Sequence, residues 1–403
     1  MRYDEYVKEA VRYYGELEEE NNELYKKYVA RLDLPARPRI GDSISAKAAT
    51  EYSEMLTSDL GIGFDAVIAG DSIVYSRSRH LLRETYNDDA NTGMLENRIF
   101  KSSENKLAAF INANSRKTFL ISVGKNEESA LSVLFLKNEA PIQILVDVQD
   151  GGRLELSELF ASATDDAYVS TTMHEIKAGE RSHANISIIN DEGYNANAVS
   201  LSKGICGAGA EMRINYAYSG SAVTKARNGF YASGDGASVR VSEAVYGVKN
   251  QVFDISTYIS NSSRFSKAKL DSGAVLDEAS RCIMKGFAKV EKFTKGAESN
   301  ITERGVLLSE DAKIDALPDM SIDYSDEVKA THSAASSPID RELIFYLQSR
   351  GIEESEARKL FIRAFIDRYL EGINDKAFRE AASQMLGSKL YTREPCYTSG
   401  IMF

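Results

Sequence analysis

Residues 305–332, GVLLSEDAKIDALPDMSIDYSDEVKATH, decide the fold. Within them, short runs of alternating apolar and polar residues are separated by acidic or proline-containing turns. This spacing is too tight for wide hairpins. It suits a β-helix, in which each short strand stacks on the strand one turn before it. The segment therefore predicts successive turns of a β-helix, with the last strand ending at His332.

The same period-two pattern extends back to about residue 117. Runs such as KTFLISV (117–123) and PIQILVDV (141–148) are separated by Gly, Asn, Asp and Ser. A region of this length is too long for one ordinary sandwich. Two packed sandwiches are an alternative, but a β-helix grows simply by adding turns. We therefore predict a mainly β protein with a parallel β-helix core over residues 116–337, and we do not assign the boundaries of its turns.

Helical periodicity dominates the N-terminal region, residues 1–115. An apolar and aromatic face recurs every three or four residues at Tyr3, Tyr6, Ala10, Tyr14 and Leu17, in a helix that Pro35 and Pro38 would end. Two further helices are predicted at about 43–59 and 103–113, with a mixed pattern between them. This part of the chain is predicted to be a helical region that precedes the β-helix.

Helical periodicity returns in the C-terminal region, residues 338–403. Pro338 would occupy the first turn of a helix, where its missing N–H costs nothing. Gly351 would end that helix in a left-handed conformation, and Gly387 would follow a third helix. The sequence therefore predicts a C-terminal helical domain of three helices.

This helical domain carries more apolar surface than it can bury by itself. The first helix is apolar all round, with Leu343, Ile344, Phe345, Tyr346 and Leu347 in succession. The second has one apolar face and an additional stripe off that face, which consists of Ile362, Ile366 and Leu370. Two interpretations stay open: the surplus is a partner surface, or it packs on the β core and the N-terminal helices.

Composition excludes several functions. The net charge of −11, without a basic stripe, argues against nucleic acid as a partner. No run of about 18 apolar residues exists, so no membrane span is expected. The acidic N-terminus does not read as a secretory signal, and we expect a cytoplasmic protein. The three cysteines, Cys206, Cys282 and Cys396, are far apart and predict buried thiols rather than a disulfide framework.

Other candidate chemistry is weaker. The glycine-rich GICGAGAE (204–211) is followed by another alternating strand, so it predicts a β-helix turn rather than a phosphate loop, and no GxxxxGK[ST] motif is present. His80, His174 and His183 have no partners at ligand spacing and are predicted to be structural. A carbohydrate-active β-helix enzyme is a further alternative, with Asp147, Asp150 and Glu155 as its candidate acids.

Residues 305–366 resemble the C-terminal core of the SufB/SufD family, the scaffold components of Suf-type iron–sulfur cluster assembly. The resemblance lies in LLSEDA, the proline-centred turn before MSI, DEVKATHSA, FYLQSRGI and EARKLF. It implies a right-handed parallel β-helix between N-terminal and C-terminal α-helical domains. It also implies a non-catalytic scaffold subunit rather than an enzyme.

The resemblance implies partners as well. Family subunits pair through their β-helix ends, so this chain would pair with a SufB-type paralogue, or with itself as a homodimer. The subunit seam would include Val328, Lys329, Thr331 and His332. The C-terminal domain would dock a SufC-type ABC ATPase through Leu343, Ile344, Phe345, Tyr346, Leu347, Arg350, Gly351, Phe361, Ile362, Phe365 and Ile366.

His332 occupies the position of a histidine shared by SufB and SufD. The resemblance implies a transient iron–sulfur cluster at the subunit interface, with His332 as a site residue and no cofactor held by this chain alone; a capping or interface role is the alternative. Ser333 stands where SufB has a glutamate, and Arg304 where SufB has a cysteine. The chain is therefore expected to be SufD-like, with Cys282 as a weak additional candidate ligand. A SufB-like homodimer that carries the cluster itself remains the alternative.

Overall fold

The structure of the protein is a computed structural model. It describes residues 3–17, 30, 32, 34, 45–86, 98–162, 166–324 and 326–392. The predicted helix beyond residue 17, the prolines Pro35 and Pro38, and Cys396 lie outside these residues.

Two groups of helices flank a long series of strands. The helices are α1 (Tyr3–Glu16), α2 (Ala46–Leu60), α3 (Lys106–Asn114), α4 (Arg341–Ser349), α5 (Glu354–Leu370) and α6 (Lys376–Thr392). The strands are β1 (Ala66–Ala69), β2 (Ser72–Ser76), β3 (Leu82–Tyr86), β4 (Lys117–Val123), β5 (Glu128–Lys137), β6 (Ile142–Val148), β7 (Arg153–Ser162), β8 (Tyr168–Ala178), β9 (His183–Asp191), β10 (Ala196–Cys206), β11 (Glu211–Tyr218), β12 (Val223–Ala232), β13 (Ser238–Gly247), β14 (Val252–Asn261), β15 (Lys267–Leu276), β16 (Arg281–Val290), β17 (Glu298–Leu307), β18 (Lys313–Ala316), β19 (Asp319–Ile322) and β20 (Lys329–Pro338).

The strands form a parallel β-solenoid of about seven turns, each with two strands. Odd-numbered strands from β5 to β17, with β1, β2 and β20, make sheet A; even-numbered strands from β4 to β16, with β3, β18 and β19, make sheet B. Each strand pairs with the strand one turn away: Glu211 lies opposite His183 of the preceding turn and Ser238 of the next. The predicted parallel β-helix is confirmed.

Alternation along each strand creates the solenoid interior. Residues of one parity point inward and stack on their equivalents in the next turn, as in the register column Ile186, Ile214, Val241, Leu270 and Ile301. These side chains are buried. Burying one aliphatic side chain contributes about 1.5–3 kcal/mol. The stacked interior therefore stabilises the solenoid, and a turn at either end has neighbours on one side only.

The corners between sheet B and sheet A require a left-handed residue in every turn. Gly209 and Gly236 hold this position with φ values of 63° and 69°. Their N–H groups donate to the carbonyls of Asp235 and Arg264 in the following turns, both at 2.9 Å. Glycine adopts this conformation without steric cost. The glycine-rich segment 204–211 is such a corner, as the sequence predicts.

The outer faces of the two sheets carry the helices. α2, α5 and α6 pack on sheet A around a second apolar core that includes Leu134, Leu159 and Ile189. α3 covers part of sheet B, and Phe110 contacts Tyr14 of α1 there. The C-terminal helices are thus fixed to the side of the solenoid rather than placed beyond its end.

Several boundaries differ from the sequence predictions. The last strand does not stop at His332 but continues to Pro338, because its backbone pairs with β17 over its whole length. Pro338 therefore ends a strand instead of starting a helix. α4 begins after Asp340, whose carboxylate accepts from the N–H groups of Glu342 and Leu343. Gly387 lies within α6.

Other boundary predictions hold. Gly351 follows α4 in the left-handed conformation, with φ of 87°. α2 and α3 lie within one to three residues of the predicted ranges. Between them, β1, β2 and β3 add to the two sheets inside the region predicted to be mainly helical. Among the described residues, no helix has the length and apolarity needed to cross a bilayer.

Candidate functional site

The C-terminal end of the solenoid is open. Sheet A ends at β20, which pairs with β17 on one side only, and sheet B ends with the short strands β18 and β19. Nine of the ten residues of β20 are exposed. Ion pairs fasten this last turn to the one before, between Arg281 and Asp315 at 2.6 Å and between Lys289 and Asp323 at 2.7 Å. The open end is a formed, stable surface.

The free edge of β20 lacks the usual protection against pairing. Exposed edges commonly carry charges, proline or bulges, whereas β20 is made mainly of Ala, Ser and Thr, with Pro338 only at its end. The N–H of Lys329 donates to the carbonyl of Ala297 at 2.9 Å. Because bonding alternates along a parallel strand, the N–H groups of residues 330, 332, 334 and 336 point away from β17. They are available to another chain.

His332 lies at the mouth of the solenoid. It registers with Ile301 and so continues an apolar interior column at the position where the column opens to solvent. Its side chain is exposed. The seam prediction is consistent with this placement, since Lys329, Thr331 and His332 are exposed and Val328 is half-buried.

Polar side chains form two facing columns within the solenoid, which sequence reasoning missed. The sheet A column holds Glu158, Tyr216, Glu243, Ser272 and Glu303, with the apolar Ile188 between the first two, and the facing positions of sheet B hold His174, Ser202, Asn228 and Thr257. Contacts cross between them: the His174 Nε2 atom lies 2.8 Å from the Glu158 carboxylate. His174 is therefore buried and structural, as predicted, but it has an acidic partner that spacing did not reveal.

Glu303 ends this polar column beside the open mouth. One carboxyl oxygen accepts from the N–H of Gly286 at 2.7 Å. Burial raises the pKa of Glu303 to about 8, and the nearby Glu243 acts in the same direction. The signal in the sequence is a glutamate at an inward position of the run NITERGVL, but period two alone does not say which parity faces inward.

Cys282 does not reach the seam. It lies inside the solenoid with its side chain completely buried, and Ile314 of β18 registers with it one turn nearer the end. Burial raises its pKa far above the usual thiol range, so the group is a protonated thiol. Cysteine binds metals as a thiolate. A buried, protonated Cys282 therefore does not fit the weak prediction that it is a ligand at the subunit interface. Within the described ranges, no group of three or more His, Cys, Asp or Glu residues is arranged to hold a metal ion.

Part of the predicted docking surface is uncovered. Phe345 is 71% exposed, Tyr346 53% and Leu343 39%. The guanidinium of Arg350 lies 5.3 Å from the centre of the Tyr346 ring, and Gly351 is exposed beside it. Leu360 is also exposed, at 51%, on α5, the helix that contacts α4. These exposed aromatic and aliphatic side chains define the α4–α5 surface.

Three of the predicted docking residues are sealed within the chain. Ile344, Ile362 and Ile366 are 5%, 2% and 3% exposed. The stripe of Ile362, Ile366 and Leu370, predicted as surplus, is the face that packs on the solenoid, because α5 lies along β11, β13 and β15. Leu347, Phe361 and Phe365 are half-buried. The C-terminal helices thus leave apolar surface exposed, but less than predicted, and the three isoleucines are not part of that exposed surface.

Comparison with known proteins identifies related chains. The SUF system FeS cluster assembly, SufBD core domain matches residues 137–365. The iron–sulfur cluster assembly protein SufD of Escherichia coli (strain K12) is 27% identical over 171 residues, which are 42% of this chain and 40% of that protein. An iron–sulfur cluster assembly SufBD family protein of Staphylococcus aureus (strain USA300) is 22% identical over 287 residues, 67% of this chain and 60% of that protein. The matched regions thus span less than two thirds of either relative.

Proposed function

Because the chain belongs to the SufBD family of SUF-system iron–sulfur cluster assembly proteins, we propose that it is a non-catalytic, SufD-like scaffold subunit of that system. The observation that carries the proposal is the open end of the solenoid. A ten-residue strand edge with outward backbone donors and small side chains is suited to pairing with another strand.

The partner at this end is a SufB-type paralogue. Pairing of β20 with an equivalent strand would continue sheet A across the seam and satisfy the outward N–H groups of Ala330, Ala334 and Ser336. Small side chains allow the two backbones to approach closely. The same edge permits self-pairing, so a SufB-like homodimer that carries the cluster itself is the alternative assembly.

In the assembled scaffold, His332 faces the transient iron–sulfur cluster at the subunit interface. It is exposed at the mouth of the solenoid, beside the edge where the second subunit would lie. Imidazole is a competent iron ligand. Cys282 is buried, so among the described residues of β20 and its surroundings His332 is the candidate ligand at the seam, and the partner would supply the thiolates. The cluster is transient cargo at the interface, and this chain alone holds no cofactor.

The α4–α5 surface docks a SufC-type ABC ATPase. Its exposed core is Leu343, Phe345, Tyr346 and Leu360, with Arg350 and Gly351 at its border and the half-buried Leu347, Phe361 and Phe365 behind it. Exposed aromatics beside an arginine are typical of the centre of a protein interface. Since α5 packs on β11, β13 and β15, movement of the ATPases would be transmitted to the solenoid. We place this assembly in the cytoplasm.

Co-expression with a SufC-type ATPase and a SufB-type subunit tests the proposal, with native mass spectrometry of the purified complex as the readout. Ala334→Pro removes one outward N–H and leaves the β17 bonds intact, so it should release the SufB-type subunit and retain the ATPase. The double variant Phe345→Ser, Tyr346→Ser should release the ATPase and retain the SufB-type subunit.

Ile205→Ser is the matched control, since Ile205 is 39% exposed on β10 in the middle of sheet B, whereas β20 belongs to sheet A and α5 packs on it. It should leave both partners bound. Circular dichroism should show the same folded content in every variant. Retention of the SufB-type subunit by Ala334→Pro would refute the strand-edge seam, and retention of the ATPase by the double variant would refute the α4–α5 dock.

A further inference from the structure

A cleft of about 470 Å³ lies on the outer face of sheet A. Its floor is formed by the first residues of β5, β7, β9 and β11, and Asn374 of the α5–α6 loop forms one wall. Three strands lie between β11 and β20, so the two are four strand spacings apart, which is about 19 Å at the usual spacing. The cleft is therefore distinct from the proposed subunit seam.

The floor of the cleft carries charges of both signs in register. One column runs across the strands through Glu128, Arg153, His183 and Glu211, and the adjacent column holds Glu155, Asn185 and Arg213. Arg213 and Glu211 neutralise each other at 2.7 Å. This leaves Arg153 as the remaining cation and Glu128 and Glu155 as the remaining anions.

Glu155 is held in a fixed position. Its carboxylate accepts from the Asn374 Nδ2 atom at 2.9 Å and from the Asn185 Nδ2 atom at 3.0 Å. Asn185 also donates to the carbonyl of Gly372 at 3.1 Å, which ties the wall to the floor. Burial raises the pKa of Glu155, and both amide hydrogen bonds oppose that rise. The group is thus oriented and partly desolvated before any ligand arrives.

Arg153 stands two residues before Glu155 on the same face of β7, yet the two do not pair. Among the described residues, the guanidinium of Arg153 has no ion-pair or hydrogen-bond partner, although its backbone N–H donates to the carbonyl of Glu127 at 2.7 Å, and the cation that acts on Glu155 is Arg213. The amides of Asn374 and Asn185 bind the Glu155 carboxylate instead. The cleft therefore offers a fixed anion at Glu155 and an unpaired cation at Arg153, and the fixed position of Glu155 lowers the cost of binding a ligand with complementary charges.

We propose that this cleft binds a small zwitterion of the α-amino-acid or short-peptide class. The ligand carboxylate pairs with the guanidinium of Arg153, which is suited to bidentate contact, and the ligand ammonium pairs with Glu155. Glu128 and Glu155 would repel a simple anion, and Arg153 would repel a simple cation. A ligand that carries both charges therefore has the most favourable binding free energy. The volume suits a molecule of this size.

Isothermal titration calorimetry of the full chain with each of the twenty L-amino acids and with dialanine tests the inference. At least one should bind, and its N-acetyl derivative and its methyl ester, each lacking one charge, should each bind about tenfold more weakly or worse. Arg153→Gln and Glu155→Gln should cause similar losses. Arg181→Gln, at an exposed solenoid corner outside the cleft, should leave the affinity unchanged.

Two outcomes would overturn the inference. One is that none of the twenty-one probes gives a binding heat. The other is that the methyl ester or the N-acetyl derivative binds as tightly as the parent, which would mean that the two charges are not read together. Unfolding midpoints of the two variants should match that of the unchanged chain, which separates lost binding from lost folding.

Discussion

At the scale of single residues, Glu303 has the clearest chemical consequence. It is 1% exposed and its pKa is raised to about 8, whereas an unfolded glutamate titrates near 4.3. The folded state therefore keeps its proton over a range in which the unfolded state has lost it. Stability from this group is fully present below about pH 4.3 and is lost as the pH rises toward 8.

We predict that Glu303→Gln flattens this loss, because glutamine stays neutral at every pH. The difference in the free energy of unfolding between the Glu303→Gln chain and the unchanged chain should grow by a few kcal/mol from pH 5 to pH 8.5. Each tenfold difference in proton affinity between the folded and unfolded states contributes about 1.4 kcal/mol. Urea unfolding at several pH values measures it. Parallel stability curves for the two chains would contradict the raised pKa.

His332 is a residue-scale prediction of the proposed function. Because its ring is exposed and makes no contact that the fold needs, His332→Ala should leave the unfolding midpoint and the complex mass unchanged. The iron and sulfide recovered with the paired scaffold from cells should fall. His80→Ala, at an exposed histidine between β2 and β3, is the control and should recover a normal amount. Equal recovery in both variants would leave His332 as an interface residue only.

At the scale of elements, the contact between α5 and sheet A depends on a missing side chain. A Cβ atom at Gly273 of β15 would lie 2.1 Å from the Tyr369 ring of α5. Gly273→Ala should therefore displace α5 and lower the free energy of unfolding by about 1–3 kcal/mol. Gly229→Ala in β12 is the matched control, since its Cβ would meet no atom closer than 3.6 Å. A Gly273→Ala chain as stable as the control chain would contradict this packing argument.

At the scale of the whole molecule, the solenoid transmits stability only between neighbouring turns. The central strands β9 to β15 have paired strands on both sides, and β20 has one. Hydrogen exchange should therefore be slowest in the centre and fast at residues 330, 332, 334 and 336. Addition of the SufB-type subunit should slow exchange in β20 and leave β2, the opposite edge of sheet A, unchanged. Uniform exchange along the solenoid, or an unchanged β20, would contradict this description.

Features that depend on residues close together in the sequence could be predicted, whereas features that depend on distant strands could not. Period-two alternation is local, so the solenoid and its corners, such as Gly209, could be predicted from it. The end of β20 could not, because β17 rather than the local pattern keeps residues 333–338 extended. The burial of Ile362 and Ile366 could not be predicted either, because the packing of α5 on β13 and β15 decides which of its apolar residues are covered.

The sequence by itself determined the repeating architecture, the helical end and the family, because these depend on residue types at fixed spacings along the chain. Only the tertiary structure decided that Cys282 is sealed, that Glu303 meets Gly286 inside the solenoid, and that Arg153 and Glu155 share a cleft with Asn374. The physical reason is that burial and charge pairing depend on residues one turn or more away. Chain spacing does not fix which of two alternating faces those residues meet.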